Sequence, residues 1–167
     1  IKAEKIKESL VYACYLNDTE KIMKCLEKAN KAQLNKKLQY TGTPLGLCAK
    51  NNNLEAFKAI VEKGADLNKT SLAYRPLRIA FQYSPAIAKY IYKNHREQFV
   101  KEVIKNGFLI ASHTTDIELL ELVRDLGCDM VCNKKQFPPL LNFADYNNTV
   151  GIQFLADNGV SMDVINN

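Results

Sequence analysis

The chain has 167 residues, of which 47% are hydrophobic and 25% are charged, and its net charge is +5 at pH 7. These values are typical of a globular protein, and only seven Gly and five Pro exclude a low-complexity chain. No apolar run approaches the roughly 20 residues that cross a bilayer, so the sequence predicts no membrane span. Because the chain starts at Ile1 without a signal-peptide core, we expect a processed chain or a piece of a longer one.

The N-terminal segment predicts two short helices. Apolar residues within 10–14 give the first helix one buried face, and those within 22–26 do the same for the second. Asn17 and Asp18 separate the two helices, and Glu20 is the first-turn acid that a helix N-terminus favours. The many lysines of this segment are typical of a polar unit at the end of an array.

The clearest pattern in the chain is TPLGLCAKNNNLEAFKAIVEKGADLN, residues 43–68. Thr43 can cap a helix that begins at Pro44, because proline at the first helical position costs no hydrogen bond. Residues 54–62 predict a second helix, which Gly64 closes at a position that favours a left-handed residue. Each helix is apolar on one face only, so we expect this unit to stack on similar units.

This stretch resembles an ankyrin repeat, whose signature is T-P-L-H-x-A, a second helix and a G-A-D turn, with a period of about 33 residues. The matching segments are 43–45, 48–49 and 64–66, whereas Gly46 replaces the His that helps to hydrogen-bond the loop in the family. The resemblance implies an all-α fold, an ankyrin-repeat solenoid of stacked helix-turn-helix units with short or degenerate hairpin loops.

The pattern recurs along the chain at the expected period. Pro76 lies 32 residues after Pro44, and Gly159 lies 32 residues after Gly127. The third repeat lacks the closing Gly and one residue of the interhelix turn, and Phe143-Ala144 takes the small-residue position of the fifth. We predict a single domain, 1–167, with about five repeats. Their bounds are roughly 6–38, 39–70, 71–105, 106–134 and 135–167.

Residues 94–105 depart from the family, which usually has a hairpin-like turn there. Apolar residues recur at helical spacing, namely Phe99, Val100, Val103 and Ile104. We predict an extra turn or two of helix in place of a β-finger. The alternative is a longer second helix in the third repeat. Asn106-Gly107 ends the helix under either interpretation.

The five cysteines are an odd number, which fits a reducing compartment better than a disulfide framework. Cys14 and Cys48 fall at the paired small-residue position, so we expect buried free thiols. Cys128 and Cys132, with His113 upstream, offer the alternative of a metal site. Zinc sites usually show tighter pairing and a second ligand pair. We therefore predict no metal and no cofactor.

The sequence contains no glycine-rich phosphate loop, no nucleophile-elbow pattern and no metal-dense cluster. His95 and His113 have no partner at a meaningful spacing, and we expect His113 to be a solvated side chain. Glu118, Glu121 and Asp125 are predicted on the outer face of one helix. We therefore predict that the chain is not an enzyme and has no small-molecule substrate.

The resemblance implies a non-catalytic module that recognises a partner protein through the concave face of the stack. That face is made by the turn tips and by the exposed side of the first helices. Tyr, Phe and Arg dominate interface energetics, although Tyr74, Tyr83 and Phe137 could instead pack against neighbouring repeats. The candidate partner-binding residues are Tyr40, Thr41, Lys69, Ser71, Tyr74, Arg75, Arg78, Gln82, Tyr83, His113, Lys135, Phe137, Leu141, Asp145 and Tyr146.

Charge is distributed unevenly along the chain. Residues 1–37 carry a net charge of +4 and residues 38–100 a net charge of +5, whereas residues 101–167 carry −4. The basic part can steer an acidic partner, whether protein, nucleic acid or membrane surface. The lysines are spread over several faces, which favours simple solvation over a nucleic-acid site. Nucleic-acid binding would have an affinity that falls steeply with salt.

A second functional hypothesis makes the chain a targeting or regulatory segment of a larger enzyme or of a secreted effector, with the catalysis elsewhere. Flanking sequence would separate this hypothesis from the interaction module. We predict a monomer in the cytoplasm, which would be the host-cell cytoplasm for a secreted effector.

Overall fold

The computed structural model describes residues 9–37, 42–69, 75–131 and 138–163. Within these residues the regular elements are α-helices, as predicted from the sequence. The chain divides into two compact units, 1–90 and 91–167. The helices are α1 (Leu10–Leu16), α2 (Thr19–Glu27), α3 (Lys31–Leu34), α4 (Pro44–Lys50), α5 (Leu54–Glu62), α6 (Pro76–Tyr83), α7 (Pro85–Asn94), α8 (Arg96–Ala111), α9 (Ile117–Asp125), α10 (Pro139–Asp145) and α11 (Thr149–Asp157).

In the first unit the helices stack as the repeat pattern predicts. The first helices α1, α4 and α6 pack side by side, and the second helices α2 and α5 pack against each other. The Thr43 side chain caps α4 by accepting a hydrogen bond from the Gly46 amide at 3.3 Å. All residues of α4 except Lys50 are buried, because α4 has a first helix on either side.

A short helix that the repeat pattern does not predict, α3, follows the first repeat. Asn30 and Gln33 form a reciprocal capping box, and Leu34 is buried. The Asn35 side chain accepts a hydrogen bond from the Asp66 amide at 2.8 Å. This bond joins the segment after the first repeat to the turn that closes the second.

The interhelix turns confirm that the third repeat is one residue short. Asn17 and Asn52 occupy the left-handed region, with φ of 57° and 53°, before the capping residue of the following helix. In the third repeat α6 ends at Tyr83, and Ser84 follows at once as the cap of α7. The left-handed residue is therefore the one that is missing.

In the second unit, α8 begins as a separate helix after His95, whose φ of −136° and ψ of 48° are not helical. The predicted extra helix is confirmed, and the alternative of one long second helix is wrong. The backbone is also non-helical at Gly107, so residues 96–106 make about three turns before the kink. Phe99 and Val103 are fully buried, but Ile104 is 62% exposed, contrary to the predicted apolar face.

The remaining helices of the second unit also follow the repeat. Helices α8 and α9 pack together, α10 packs on α11, and α11 packs on α9. Gly127 and Gly159 close their repeats with φ of 78° and 80°. Phe143 takes the small-residue position of the fifth repeat as a fully buried ring, whereas the adjacent Ala144 is exposed.

Candidate functional site

The carboxyl ends of α1, α4 and α6 lie in register because hydrogen bonds join the interhelix turns of the first unit. The Asn51 side-chain amide donates to the Cys14 carbonyl at 3.0 Å, and the Asn53 amide donates to Asn17 Oδ1 at 2.8 Å. Ser84 Oγ in turn donates to Asn52 Oδ1. Side chains at the ends of the three first helices are therefore neighbours on one surface.

This surface, which we call the terminal row, carries large exposed side chains. It consists of Tyr15, Leu16, Lys50, Gln82 and Tyr83. Tyr15 is 52% exposed, Leu16 51% and Tyr83 45%. The Tyr15 ring also stacks on that of Tyr12, with centroids 6.1 Å apart. An exposed aromatic and aliphatic surface held by rigid helices suits a protein partner.

Two candidate residues of the sequence analysis, Gln82 and Tyr83, belong to the terminal row. The exposure of Tyr83 shows that it does not simply pack against a neighbouring repeat. Arg75 and Arg78 are half-buried on the same side of α6 as Gln82, at helical spacing. Lys69 is exposed in the turn after the second repeat.

Six candidates from the turn tips lie outside the described residues. They are Tyr40, Thr41, Ser71, Tyr74, Lys135 and Phe137. Their assignment to the partner-binding surface stays a prediction.

In the second unit, the structure brings two candidates into contact. The rings of His113 and Tyr146 have centroids 3.8 Å apart, and Tyr146 is 53% exposed. His113 is half-buried, so its ring is partly covered by Tyr146 and partly accessible to solvent. Asp145 is exposed next to this pair, and Leu141 is half-buried one turn earlier on α10.

Sequence reasoning missed Tyr15, Leu16 and Lys50. All three end a first helix, as Gln82 and Tyr83 do, so aligning the repeats from the capping residue of each second helix could have found them. The first repeat lacks the Pro-Leu start that the second, third and fifth repeats share. Tyr15 and Leu16 belong to this polar end unit, and its sequence pattern did not indicate that they lie on the surface.

The buried thiols of the first unit are structural. Cys14 and Cys48 are free and fully buried, as predicted. The hydrogen bond with the Cys48 thiol and burial both raise the pKa of Cys14 well above its ordinary value. Burial likewise raises the pKa of Cys128, whose Sγ donates to the Val103 carbonyl at 3.5 Å. A raised pKa keeps these thiols protonated and poorly nucleophilic.

We expect iodoacetamide at pH 8 to modify Cys14 of the native protein about 100-fold more slowly than Cys25, which lines a surface cleft. Timed alkylation followed by peptide mass spectrometry measures both rates. In urea the two residues should react alike. Equal rates in the native protein would contradict the buried thiol pair.

Within the described part of the chain, no group of three or more His, Cys, Asp or Glu side chains could hold a metal ion. Cys132 of the alternative metal site lies outside it. None of the helices in that part is long and apolar enough to cross a membrane.

Comparison with models of protein families identifies the repeats. A family model described as ankyrin repeats (3 copies) matches residues 10–103. This range contains α1 to α7 and therefore all of the terminal row. No curated protein matches the chain significantly.

Proposed function

The chain belongs to the ankyrin-repeat family, and we propose that it binds a partner protein through the terminal row. Ankyrin repeats generally mediate protein–protein interaction, and such domains are typically non-catalytic. The proposal assigns that general role to the exposed ends of α1, α4 and α6. The single observation that carries it is the register-matched exposure of Tyr15, Leu16 and Tyr83.

The terminal row has features of a binding surface that isolated exposed side chains lack. Tyrosine supplies a large contact area and a hydroxyl while having few rotatable bonds. The interhelix hydrogen bonds of Asn51 and Asn53 hold the row before a partner arrives. A preorganised surface loses little conformational entropy on binding, so more of its contact energy contributes to affinity.

The chemistry around the row favours an acidic partner. Lys50 lies within the row, and Arg78 lies one turn before Gln82 on α6. Residues 1–100 are basic overall, with a net charge of +4 for residues 1–37 and +5 for residues 38–100. Such a field accelerates encounter with an acidic protein and makes the association rate sensitive to salt.

The test is affinity capture from a lysate of the native cell with the wild-type chain and the double variant Tyr15→Ser/Tyr83→Ser. We expect proteins retained by the wild type to be depleted about tenfold or more with the variant, because central tyrosines carry much of an interface's energy. Quantitative mass spectrometry measures the depletion. Lys50→Glu should slow association and reduce its dependence on salt.

The matched control is Ile104→Ser/Val131→Ser, which removes side chains that are 62% and 61% exposed in the second unit. This variant should retain the same proteins as the wild type. If both double variants lose the same proteins, the loss comes from general surface apolarity and the terminal row is not the site.

Three expectations from the sequence stay predictions beside this proposal. A monomeric state is tested by light scattering, and a cytoplasmic location by fractionation of the native cell. The hypothesis of a regulatory segment in a larger enzyme or secreted effector is tested by the flanking coding sequence.

A further inference from the structure

The second unit contains an open groove on the side of its second helices. It lies between α9 and α11 and has a volume of about 560 Å³, enough for more than one aliphatic side chain. Its residues belong to neither the terminal row nor the candidate partner-binding residues. The groove is therefore a second surface that the proposed function does not use.

The floor of the groove is apolar. Ile117 begins α9 with 46% of its surface exposed, Val150 is half-buried, and Phe154 closes the floor at 6% exposure. The Phe154 ring also packs near the ring of Phe108, with centroids 6.3 Å apart, which fixes its position. An exposed apolar side chain beside a fixed aromatic ring is a site that a partner's apolar residue can fill.

The rim of the groove is acidic. Glu121 and Asp157 are both exposed, one on each helix. Among the described residues that line the groove, the cation is Arg124, which bonds to Asp125 at 2.9 Å and to Asn158 at 3.1 Å while its guanidinium lies 5.7 Å from the Phe154 ring. Arg124 is therefore already paired with a carboxylate of its own helix. Residues 101–167 as a whole carry a net charge of −4.

The equivalent position in the first unit has the opposite charge. Counting from the capping residues Asn53 and Asp116, Lys58 of α5 corresponds to Glu121 of α9. The acid at Glu121 is thus particular to the second unit, whereas Asp157 lies nine residues after Asn148 as Glu62 does after Asn53.

We propose that this groove docks a basic amphipathic segment of a partner protein. An apolar side chain of that segment packs on Ile117 and Phe154, while Lys or Arg residues on either side pair with Glu121 and Asp157. Helix-in-groove recognition uses this combination of an apolar anchor and flanking charges. An acidic segment, or a nucleic acid, would be repelled by the same rim.

The probe is a short amidated peptide of Leu and Lys, with the leucines at helical spacing. Two further peptides serve as comparisons, one of the same composition in scrambled order and one with Glu in place of Lys. Amide chemical-shift changes locate the binding on the full chain, and titration at low and physiological salt gives the affinity.

We expect the amphipathic peptide to shift the amides of Ile117, Glu121 and Val150. The double variant Glu121→Lys/Asp157→Lys should weaken binding about tenfold or more, since each reversal replaces attraction by repulsion. Ile117→Ser should weaken it about fivefold without changing net charge. The scrambled and Glu-containing peptides should bind much more weakly than the amphipathic one.

The matched control is Glu27→Lys/Glu62→Lys, which makes the same charge change at the ends of α2 and α5. This variant should bind the peptide within about twofold of the wild type. Equal weakening by both double variants would show diffuse electrostatic attraction and overturn the proposal. Equal binding of the scrambled peptide, or shifts confined to other surfaces, would also overturn it.

Discussion

Replacement of Gly151 by alanine is expected to destabilise the protein by about 3 kcal/mol, although alanine is the better helix former. Gly151 lies in α11 against the ring of Phe143, which is fully buried. A Cβ at Gly151 would stand 2.8 Å from Cγ of that ring and closer still to Cδ1 and Cε1. The ring cannot easily move, because it also packs against Phe108 at 6.4 Å between centroids. Urea unfolding followed by circular dichroism measures the change.

The same substitution in a Phe143→Ala background provides the control. With the ring removed, Gly151→Ala should become neutral or stabilise by up to about 1 kcal/mol, the ordinary helix preference for alanine. The two substitutions should therefore show a coupling of about 3 to 4 kcal/mol in a double-mutant cycle. A stabilising effect of Gly151→Ala alone would show that the ring and the glycine are not in contact.

Replacement of Asn148 by alanine should cost about 4 kcal/mol, because three hydrogen bonds of a buried amide are lost together. Asn148 is 5% exposed. Its Nδ2 donates to the carbonyls of Ser112 at 3.0 Å and Thr114 at 2.6 Å, and its Oδ1 accepts from the Gly151 amide at 3.0 Å. Alanine would leave two buried carbonyls and a helix N-terminus without partners. The free energy of unfolding in urea is the measurement.

Two further substitutions separate the contributions. Asn148→Asp keeps the cap of α11 but removes both donors, so it should still cost at least about 2 kcal/mol. Asp116→Asn keeps the capping bond to Leu119 of α9 and should change stability by less than about 0.5 kcal/mol. A small effect of Asn148→Asp would place the stabilisation in the helix cap rather than in the bonds between repeats.

The repeat architecture could be predicted because its signals are local. Thr43 and Pro44 mark a helix start by capping chemistry, and Gly64 marks an end by its left-handed conformation. The missing residue of the third repeat followed from spacing alone. The extra helix after Asn94 followed from apolar periodicity, although its length exceeded the prediction and Ile104 proved exposed.

The surfaces were harder to predict because exposure depends on neighbours that are distant in sequence. Tyr15 and Tyr83 look alike to a pattern search, and only the bonds between interhelix turns show that they share one surface. The match of Phe143 with Gly151 likewise depends on how α10 and α11 pack. The acidic side chain of Glu121 was expected on an outer face, but Val150 and Phe154 of the apolar floor beside it come from another repeat.

The terminal row spans three repeats, so its affinity for the proposed partner depends on all three of them. Tyr15 and Leu16 belong to α1, whereas Gln82 and Tyr83 belong to α6. Any local opening of the first repeat would break the bonds from Asn51 and Asn53 and separate Tyr15 and Leu16 from the rest of the row. The affinity for the proposed partner therefore includes the equilibrium between the open and closed first repeat, and this partner should slow amide hydrogen exchange in α1 more than in α6.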